Sequence, residues 1–151
     1  MRPDDQRKAE AVEILMIDDN PADIDLVSES LARCGIAVQL HTVTDGSKVL
    51  QLLHQPDWVS LKLVLLDLNI PRVNGAAVLR AIKRDPGLRR VPVVIFSTSG
   101  APRDVRESYE SGANGYVVKP GGLREFFATI ESLSSFWLDC AILPPARSVH
   151  D

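Results

Sequence analysis

The sequence predicts an α/β protein with a doubly wound, five-stranded parallel sheet and five helices. The first observation is that residues 61–67 and 91–97 form short, continuous apolar segments, which are typical of strands buried on both faces. The second is that strand-like segments alternate with segments of helical periodicity across short connections. The third is the length of 151 residues, which suits a single hydrophobic core.

The first predicted strand, residues 13–18, ends in a pair of carboxylates, Asp18 and Asp19. Asn20 is a favourable N-cap, and a proline at the first helical position supports a helix over residues 21–33. The two carboxylates therefore stand where a buried strand gives way to a helix.

The third predicted strand ends in a third carboxylate, after a second strand and a second helix. Residues 36–41 alternate large apolar side chains with small or polar ones, which predicts a strand at the sheet edge. Asp45 caps a second helix. The strand at residues 61–67 ends in Asp67, and Gly75 opens a third helix. Because ligands bind outside the carboxyl ends of strands in open α/β sheets, Asp67 is a candidate site residue.

The second half of the chain adds two strands and two helices. The strand at residues 91–97 closes in Ser97, and the following helix over residues 101–111 has a thin apolar stripe. Since packing supplies most helical stability, we expect this helix to be the least firmly held. The fifth strand covers residues 115–120 and contains Tyr116 and Lys119.

The last helix begins near Gly122 and has one apolar stripe at helical spacing, made of Leu123, Phe126 or Phe127, Ile130, Leu133 and Trp137. Phe136 and Leu138 flank that stripe, so at least one of them should point away from the core. An exposed apolar patch predicts a homodimer through the fifth strand, the last helix and the C-terminal extension. The alternative is a monomer whose extension folds back over its own domain.

Composition narrows the class of protein. A net charge of −3 gives no basic surface, so we expect no direct DNA binding. The charged N-terminus is not a signal peptide, and no apolar run approaches a membrane span, so we expect a cytoplasmic protein. We divide the chain into a tail (residues 1–11), one domain (12–138) and a C-terminal extension (139–151).

Right-handed crossovers leave few topologies, and we adopt the flavodoxin-like strand order 2-1-3-4-5 from known doubly wound folds. This order brings the polar residues of four strand ends to one edge of the sheet: Asp18, Asp19, Asp67, Ser97 and Lys119. The predicted site thus combines carboxylates, a hydroxyl and an ammonium.

These residues carry a family resemblance. Asp18-Asp19, Asp67 with Pro71 and Gly75 behind it, Ser97-Thr98, and Tyr116 with Lys119-Pro120 stand in the order of the receiver domain of two-component response regulators. The sequence resembles that family over roughly residues 12–138.

The resemblance implies a chemistry for each position. Asp67 resembles the phosphoacceptor, which attacks the phosphohistidine of a histidine kinase. Mg²⁺ would be held by Asp18, Asp19, Asp67 and the backbone carbonyl of Asn69. Lys119 resembles the lysine that pairs with the phosphoryl oxygens. The protein would then be a phosphoacceptor with self-catalysed phosphotransfer and slow autodephosphorylation, rather than an enzyme acting on a separate substrate.

The same resemblance assigns the output. Ser97 and Tyr116 resemble the hydroxyl and the aromatic residue that rearrange on phosphorylation. Residues 19–23, together with the aromatic C-terminal segment around Phe136, are similar to stand-alone regulators that partner phytochrome-type histidine kinases. One departure is Gly121-Gly122 after Lys119-Pro120, which loosens the loop that positions Lys119.

Three other interpretations share the fold class. A flavodoxin would place its phosphate loop after the first strand, where Asp18-Asp19 would repel a flavin phosphate. A haloacid-dehalogenase-type phosphatase needs an acid two residues after its nucleophile, where this chain has Asn69. A receiver-like binding module that is never phosphorylated would not need the full set of carboxylates, hydroxyl and lysine.

Overall fold

The computed structural model describes residues 11–55, 58 and 60–145. Strands and helices alternate along the chain. The strands are β1 (Val12–Ile17), β2 (Val38–Val43), β3 (Leu61–Leu66), β4 (Val93–Ser97) and β5 (Gly115–Val118). The helices are α1 (Pro21–Arg33), α2 (Gly46–Leu53), α3 (Gly75–Arg84), α4 (Pro102–Glu110) and α5 (Leu123–Ser134), and α5 continues as a π-helix over Ser135–Cys140.

The strands form one sheet with the order β2-β1-β3-β4-β5, and each neighbouring pair is parallel. This confirms the predicted fold class and strand order. The edge position predicted for the second strand is also confirmed. All five strands therefore present their carboxyl ends at the same edge of the sheet, as parallel pairing requires.

All five predicted strands differ in their bounds from the structure, by one residue at β1 and β3 and by two residues at β2, β4 and β5. The second strand is predicted at residues 36–41 but runs over Val38–Val43, because it pairs with β1 as far as Ile17. The fourth begins at Val93, since Val91 still belongs to the preceding turn through its N–H bond to Leu88. The fifth ends at Val118, and Pro120 beyond it has no N–H for the ladder.

A hydrophobic core lies on each face of the sheet. On one face α2 and α3 pack against side chains of β1, β3 and β4, with Val49, Val78, Leu79 and Ile82 among the buried helix residues. On the other face α1 and α5 do the same, through Val27, Leu31, Phe126 and Ile130. The two cores hold the strands, and hence the strand ends, in fixed register.

Helix α4 contributes little to either core. Ser108 is its buried residue, and Tyr109 is 50% exposed. The thin apolar stripe predicted for this helix is therefore present. The prediction that α4 is the least firmly held helix follows from that packing and stays a prediction.

The apolar stripe predicted for the last helix is correct in its middle and wrong at its start. Phe126 and Ile130 are buried, but Leu123 is 58% exposed, because it begins the helix beyond the edge of the core. The two phenylalanines separate as expected: Phe127 lies under the Arg33 guanidinium, 4.3 Å from the ring centre.

The π-helix changes which side chains face the core after α5. Its closing bond runs from the N–H of Ala141 to the carbonyl of Phe136, a span of five residues. Trp137 and Leu138 pack against the core, whereas Phe136 is 54% exposed, as expected for at least one flanking residue. Within the part of the chain that the structure describes, no helix is long and apolar enough to span a membrane.

Candidate functional site

Backbone hydrogen bonds carry the sheet pattern one residue past three strands and so fix the first residues of the loops. The N–H of Asp18 donates to Val43, and that of Asp67 donates to Ile17. The N–H of Lys119 donates to the carbonyl of Ser97 at 2.7 Å. Asp18, Asp67 and Lys119 therefore start from rigid backbone positions at one edge of the sheet.

Three carboxylates meet at that edge. Asp18, Asp19 and Asp67 each place an oxygen within 4.8 Å of the others. Asp18 and Asp67 are buried, with 1% and 7% of their surface exposed, while Asp19 faces solvent. The N–H of Asn20 donates to Asp18 Oδ1 at 2.9 Å, and the N–H of Asn69 donates to Asp67 Oδ1 at 3.0 Å. The second oxygen of each buried carboxylate, Oδ2, faces the Lys119 nitrogen.

The cluster suits a hard divalent cation. Asp18 Oδ2 is buried, and its charged partner among the described groups is the Lys119 ammonium at 2.7 Å. Burial raises the pKa of the Asp18 carboxyl, against the lowering effect of Lys119. A cation bound to oxygen ligands would offset that burial, and Mg²⁺ prefers carboxylate oxygens. Asp18, Asp19 and Asp67 therefore fit Mg²⁺. The Asn69 carbonyl as a further ligand stays a prediction.

Lys119 points into the same cluster. Its side chain is 5% exposed, and its nitrogen lies 2.7 Å from Asp18 Oδ2, 2.8 Å from Asp23 Oδ2 and 3.0 Å from Asp67 Oδ2. Burial by itself lowers the pKa of Lys119, but the three carboxylates outweigh it and the pKa lies above its usual value. The ammonium is therefore protonated at neutral pH and is the counter-charge of the site.

Asp23 is a site residue that the sequence did not predict as one. It lies in the first turn of α1, where an acidic residue is common because it favours the helix N-terminus. No local pattern distinguishes that use from contact with a lysine 96 residues further along the chain. The only indication in the sequence of a functional role for Asp23 was its place in residues 19–23, a segment that is similar to the phytochrome-associated regulators.

Ser97 and Tyr116 form a second group beside the carboxylates. Ser97 is fully buried, and its Oγ accepts the N–H of Ser99 at 3.4 Å. The Tyr116 hydroxyl donates to the carbonyl of the same Ser99 at 2.7 Å. Burial raises the pKa of Tyr116. The bond from Lys119 N–H to the Ser97 carbonyl joins this group to the ammonium. All the predicted side chains thus lie at one edge, in two linked groups.

The loop after Asp67 is packed closely against the start of α3. A Cβ added at Gly75 would lie 2.5 Å from the Asp67 carbonyl oxygen and 2.6 Å from Leu68 Cα, so a glycine is required there. Arg72 has a φ of 74°, and its side chain pairs with Asp45 at 2.8 Å. The backbone of the loop that follows Asp67 is therefore also fixed.

Comparison with known proteins agrees with this geometry. The profile of the response regulator receiver domain matches residues 14–131. Response regulator Rcp1 of Synechocystis sp. is 38% identical over 137 residues, which cover 88% of this chain and 93% of that protein. These matches span all five strands and the cluster of site residues at their ends.

Two solved structures are similar over nearly their full length. One is the phosphorylated cyanobacterial phytochrome response regulator RcpA, with a TM-score of 0.82, 37% identity, and coverage of 89% of this chain and 99% of the other. The second is the Mn²⁺-bound form of Rcp1, with a TM-score of 0.79, 37% identity, and coverage of 88% and 99%.

Proposed function

Because the chain belongs to the response regulator receiver domain family of two-component signalling, we propose that it accepts a phosphoryl group on Asp67 from the phosphohistidine of a histidine kinase. The observation that carries the proposal is the contact of the Asp67 carboxylate with the Lys119 ammonium, inside a cluster of further carboxylates. A nucleophile, a cationic partner and a cation site lie within one crevice.

The proposed transfer uses the two oxygens of Asp67 differently. Oδ1 accepts the N–H of Asn69, whereas Oδ2 lies 3.0 Å from the Lys119 nitrogen. A carboxylate oxygen attacks the phosphorus, the bond from phosphorus to the kinase histidine nitrogen breaks, and the histidine keeps that electron pair. The Lys119 ammonium then pairs with phosphoryl oxygens as a point charge.

Asp18, Asp19 and Asp67 would hold Mg²⁺ in this reaction. A bound divalent cation would reduce the repulsion between an anionic nucleophile and an anionic phosphoryl group. The fit of the carboxylates and the buried Asp18 oxygen supports this proposal, as does the Mn²⁺ form of the similar protein Rcp1.

The proposed partner is a phytochrome-type histidine kinase. The support is similarity to a phytochrome response regulator over almost the whole of both chains. The protein is proposed to act as the substrate of that kinase, so its own catalysis is limited to transfer onto Asp67 and slow hydrolysis of the product. A cytoplasmic location is the expectation that goes with this role.

The proposed output is a change of the face formed by Ser97 and Tyr116. Both side chains contact Ser99 in the loop between β4 and α4. A shift of the Ser97 hydroxyl toward a phosphoryl group on Asp67 would move that loop and change the surface next to β5.

Phosphorylation with a small donor tests the proposal. With Mg²⁺ and acetyl phosphate, we expect one phosphoryl group on Asp67, stable to acid and labile to base, detected by intact mass. The matched variant Asp67→Asn keeps the size of the side chain and should not be modified. Modification of that variant would place the acceptor elsewhere, and an unmodified wild type would favour a binding module that acts without phosphorylation.

A further inference from the structure

Asp23 and Lys119 make a contact that the family resemblance does not assign. Asp23 Oδ2 lies 2.8 Å from the Lys119 nitrogen, and the two side chains are 17% and 5% exposed. Asp23 belongs to α1, whereas Lys119 follows β5, so the contact joins two elements that are distant in the chain. Both side chains are therefore largely shielded from solvent, and a charged hydrogen bond is stronger in such a place than at the protein surface.

Asp23 differs from the other two carboxylates at the ammonium. Asp67 is the proposed acceptor, and Asp18 is one of the residues that fit Mg²⁺, so both have other partners during transfer. Asp23 lies outside the three-carboxylate cluster that could hold a cation. An ammonium has three N–H groups to donate. During phosphoryl transfer, the N–H directed at Asp23 can keep its acceptor, whereas the acceptors Asp18 and Asp67 take other partners.

Asp23 is also the better anchored end of the contact. The Asn20 side chain accepts the N–H groups of Ala22 and Asp23, which fixes the first turn of α1. Val27 and Leu31 of the same helix are buried in the core. By contrast, Lys119 is followed by Pro120 and then by Gly121-Gly122, where a side chain at Gly121 would meet open space. The sheet fixes the backbone of Lys119 through its N–H bond to Ser97, and the two glycines add no side chain that could hold the ammonium at the far end of the lysine.

We propose that Asp23 is a positioning residue for phosphoryl transfer: from α1 it holds the Lys119 ammonium against Asp67, before and after the phosphoryl group arrives. The effect on phosphoryl transfer rests on the proposed function, whereas the contact between Asp23 and Lys119 does not. Asp23 acts through Lys119 and does not touch the reacting atoms. It fixes the charged end of a side chain whose backbone is already held by the bond to Ser97.

A double-mutant cycle tests whether Asp23 works through Lys119. We expect Asp23→Ala to lower the Mg²⁺-dependent rate of phosphorylation by acetyl phosphate about tenfold, as the loss of a charged hydrogen bond would. In a Lys119→Ala background the same change should alter the rate by less than about twofold, since coupled residues are non-additive. Asp25→Ala, which removes an exposed charge from the same helix, is the control. Equal effects of Asp23→Ala in both backgrounds would overturn the proposal.

The ammonium itself provides a readout that needs no phosphoryl transfer. In the metal-free protein, the ¹H–¹⁵N correlation of lysine side chains should contain a slowly exchanging Lys119 signal. That signal should be lost in Asp23→Ala and retained, with a shift, in Asp23→Asn, which keeps a hydrogen-bond acceptor. A signal unchanged in Asp23→Ala would refute the positioning role, even if the wild type took up no phosphate and the proposed function failed separately.

Discussion

The Tyr116 hydroxyl donates a hydrogen bond of 2.7 Å to the backbone carbonyl of Ser99. The same serine donates its N–H to Ser97 Oγ at 3.4 Å and its hydroxyl to Asp104 at 2.6 Å. Ser99 therefore joins the end of β4, the aromatic side chain of β5 and the first turn of α4. Because α4 has little buried apolar surface, we expect this polar junction to help hold its start.

Tyr116→Phe should loosen that junction without removing the ring. We expect faster amide hydrogen exchange in residues 98–104 and a loss of about 1 kcal/mol in the free energy of unfolding. Phosphorylation of Asp67 should continue, since Tyr116 does not bond to the carboxylate cluster in this structure. Tyr109→Phe is the control, as Tyr109 is 50% exposed. Equal exchange in wild type and Tyr116→Phe would contradict the role of the hydroxyl.

Asp45 gives a prediction for pH. Hydrogen bonds from Ser47 hold the pKa of the Asp45 carboxyl below its usual value of 3.8, and Arg72 adds to the effect. A depressed folded pKa means that the ionised form stabilises the protein above pH 3.8, and that this contribution is lost as the pH falls through the lower folded value.

Thermal melts of wild type and Asp45→Ala should therefore differ by a constant amount near neutral pH and by a smaller amount in the acid range. Asp45→Asn keeps an oxygen that can cap α2, so its melting temperature at neutral pH should lie between those of the other two. A difference that is the same at all pH values would show that the charge of Asp45 contributes nothing.

The sequence predicted the strands of the sheet and most of the site, with the strand order taken from known doubly wound folds. A strand buried on both faces, such as Leu61–Leu66, can be recognised as a continuous apolar segment with turn residues before and after it. The order of the strands in the sheet then decides where Asp18, Asp67 and Lys119 meet. Strand ends were less accurate, because pairing across the sheet rather than local propensity sets them, as at Val38–Val43.

Two features were outside the reach of local pattern. Leu123 has the spacing of a core residue, but the end of the core beneath the helix leaves it exposed. The contact of Asp23 with Lys119 depends on how α1 packs over the sheet, and helical spacing says nothing about it. The predictions on residues 1–10 and 146–151 lie outside the described residues.

Binding of Mg²⁺ should stabilise the protein. The carboxylates of Asp18, Asp19 and Asp67 repel one another, and Lys119 relieves this only in part. At about ten times its dissociation constant a ligand adds about 1.4 kcal/mol, which corresponds to a rise in Tm of roughly 3–6 °C for a chain of this size. Asp19→Ala should remove the increment, and Asp25→Ala should retain it. An identical wild-type melting curve with and without millimolar Mg²⁺ would rule out the site.

The predicted homodimer is supported by a set of exposed apolar side chains. Apolar side chains at β5, at both ends of the last helix and beyond it are open to solvent: Val118 (47%), Leu123 (58%), Phe136 (54%) and Ile142 (97%). Phe136 and Trp137 also line a shallow groove with Val117 and Leu133. A two-fold contact of this face with a second copy would cover these side chains together.

Sedimentation at micromolar concentration measures the association. Phe136→Asp, or removal of residues 139–151, should shift a dimeric wild type toward monomer by at least about tenfold in dissociation constant. Each change removes a large apolar side chain from the contact, Phe136 or Ile142, and burial of such a side chain is worth more than about 1.4 kcal/mol. Ala32→Asp adds the same charge at an exposed position of α1 and should leave the dimer intact. A wild type that is monomeric under these conditions would instead favour the fold-back of the extension over its own domain. Within the described part of the extension, the 97% exposure of Ile142 favours the dimer.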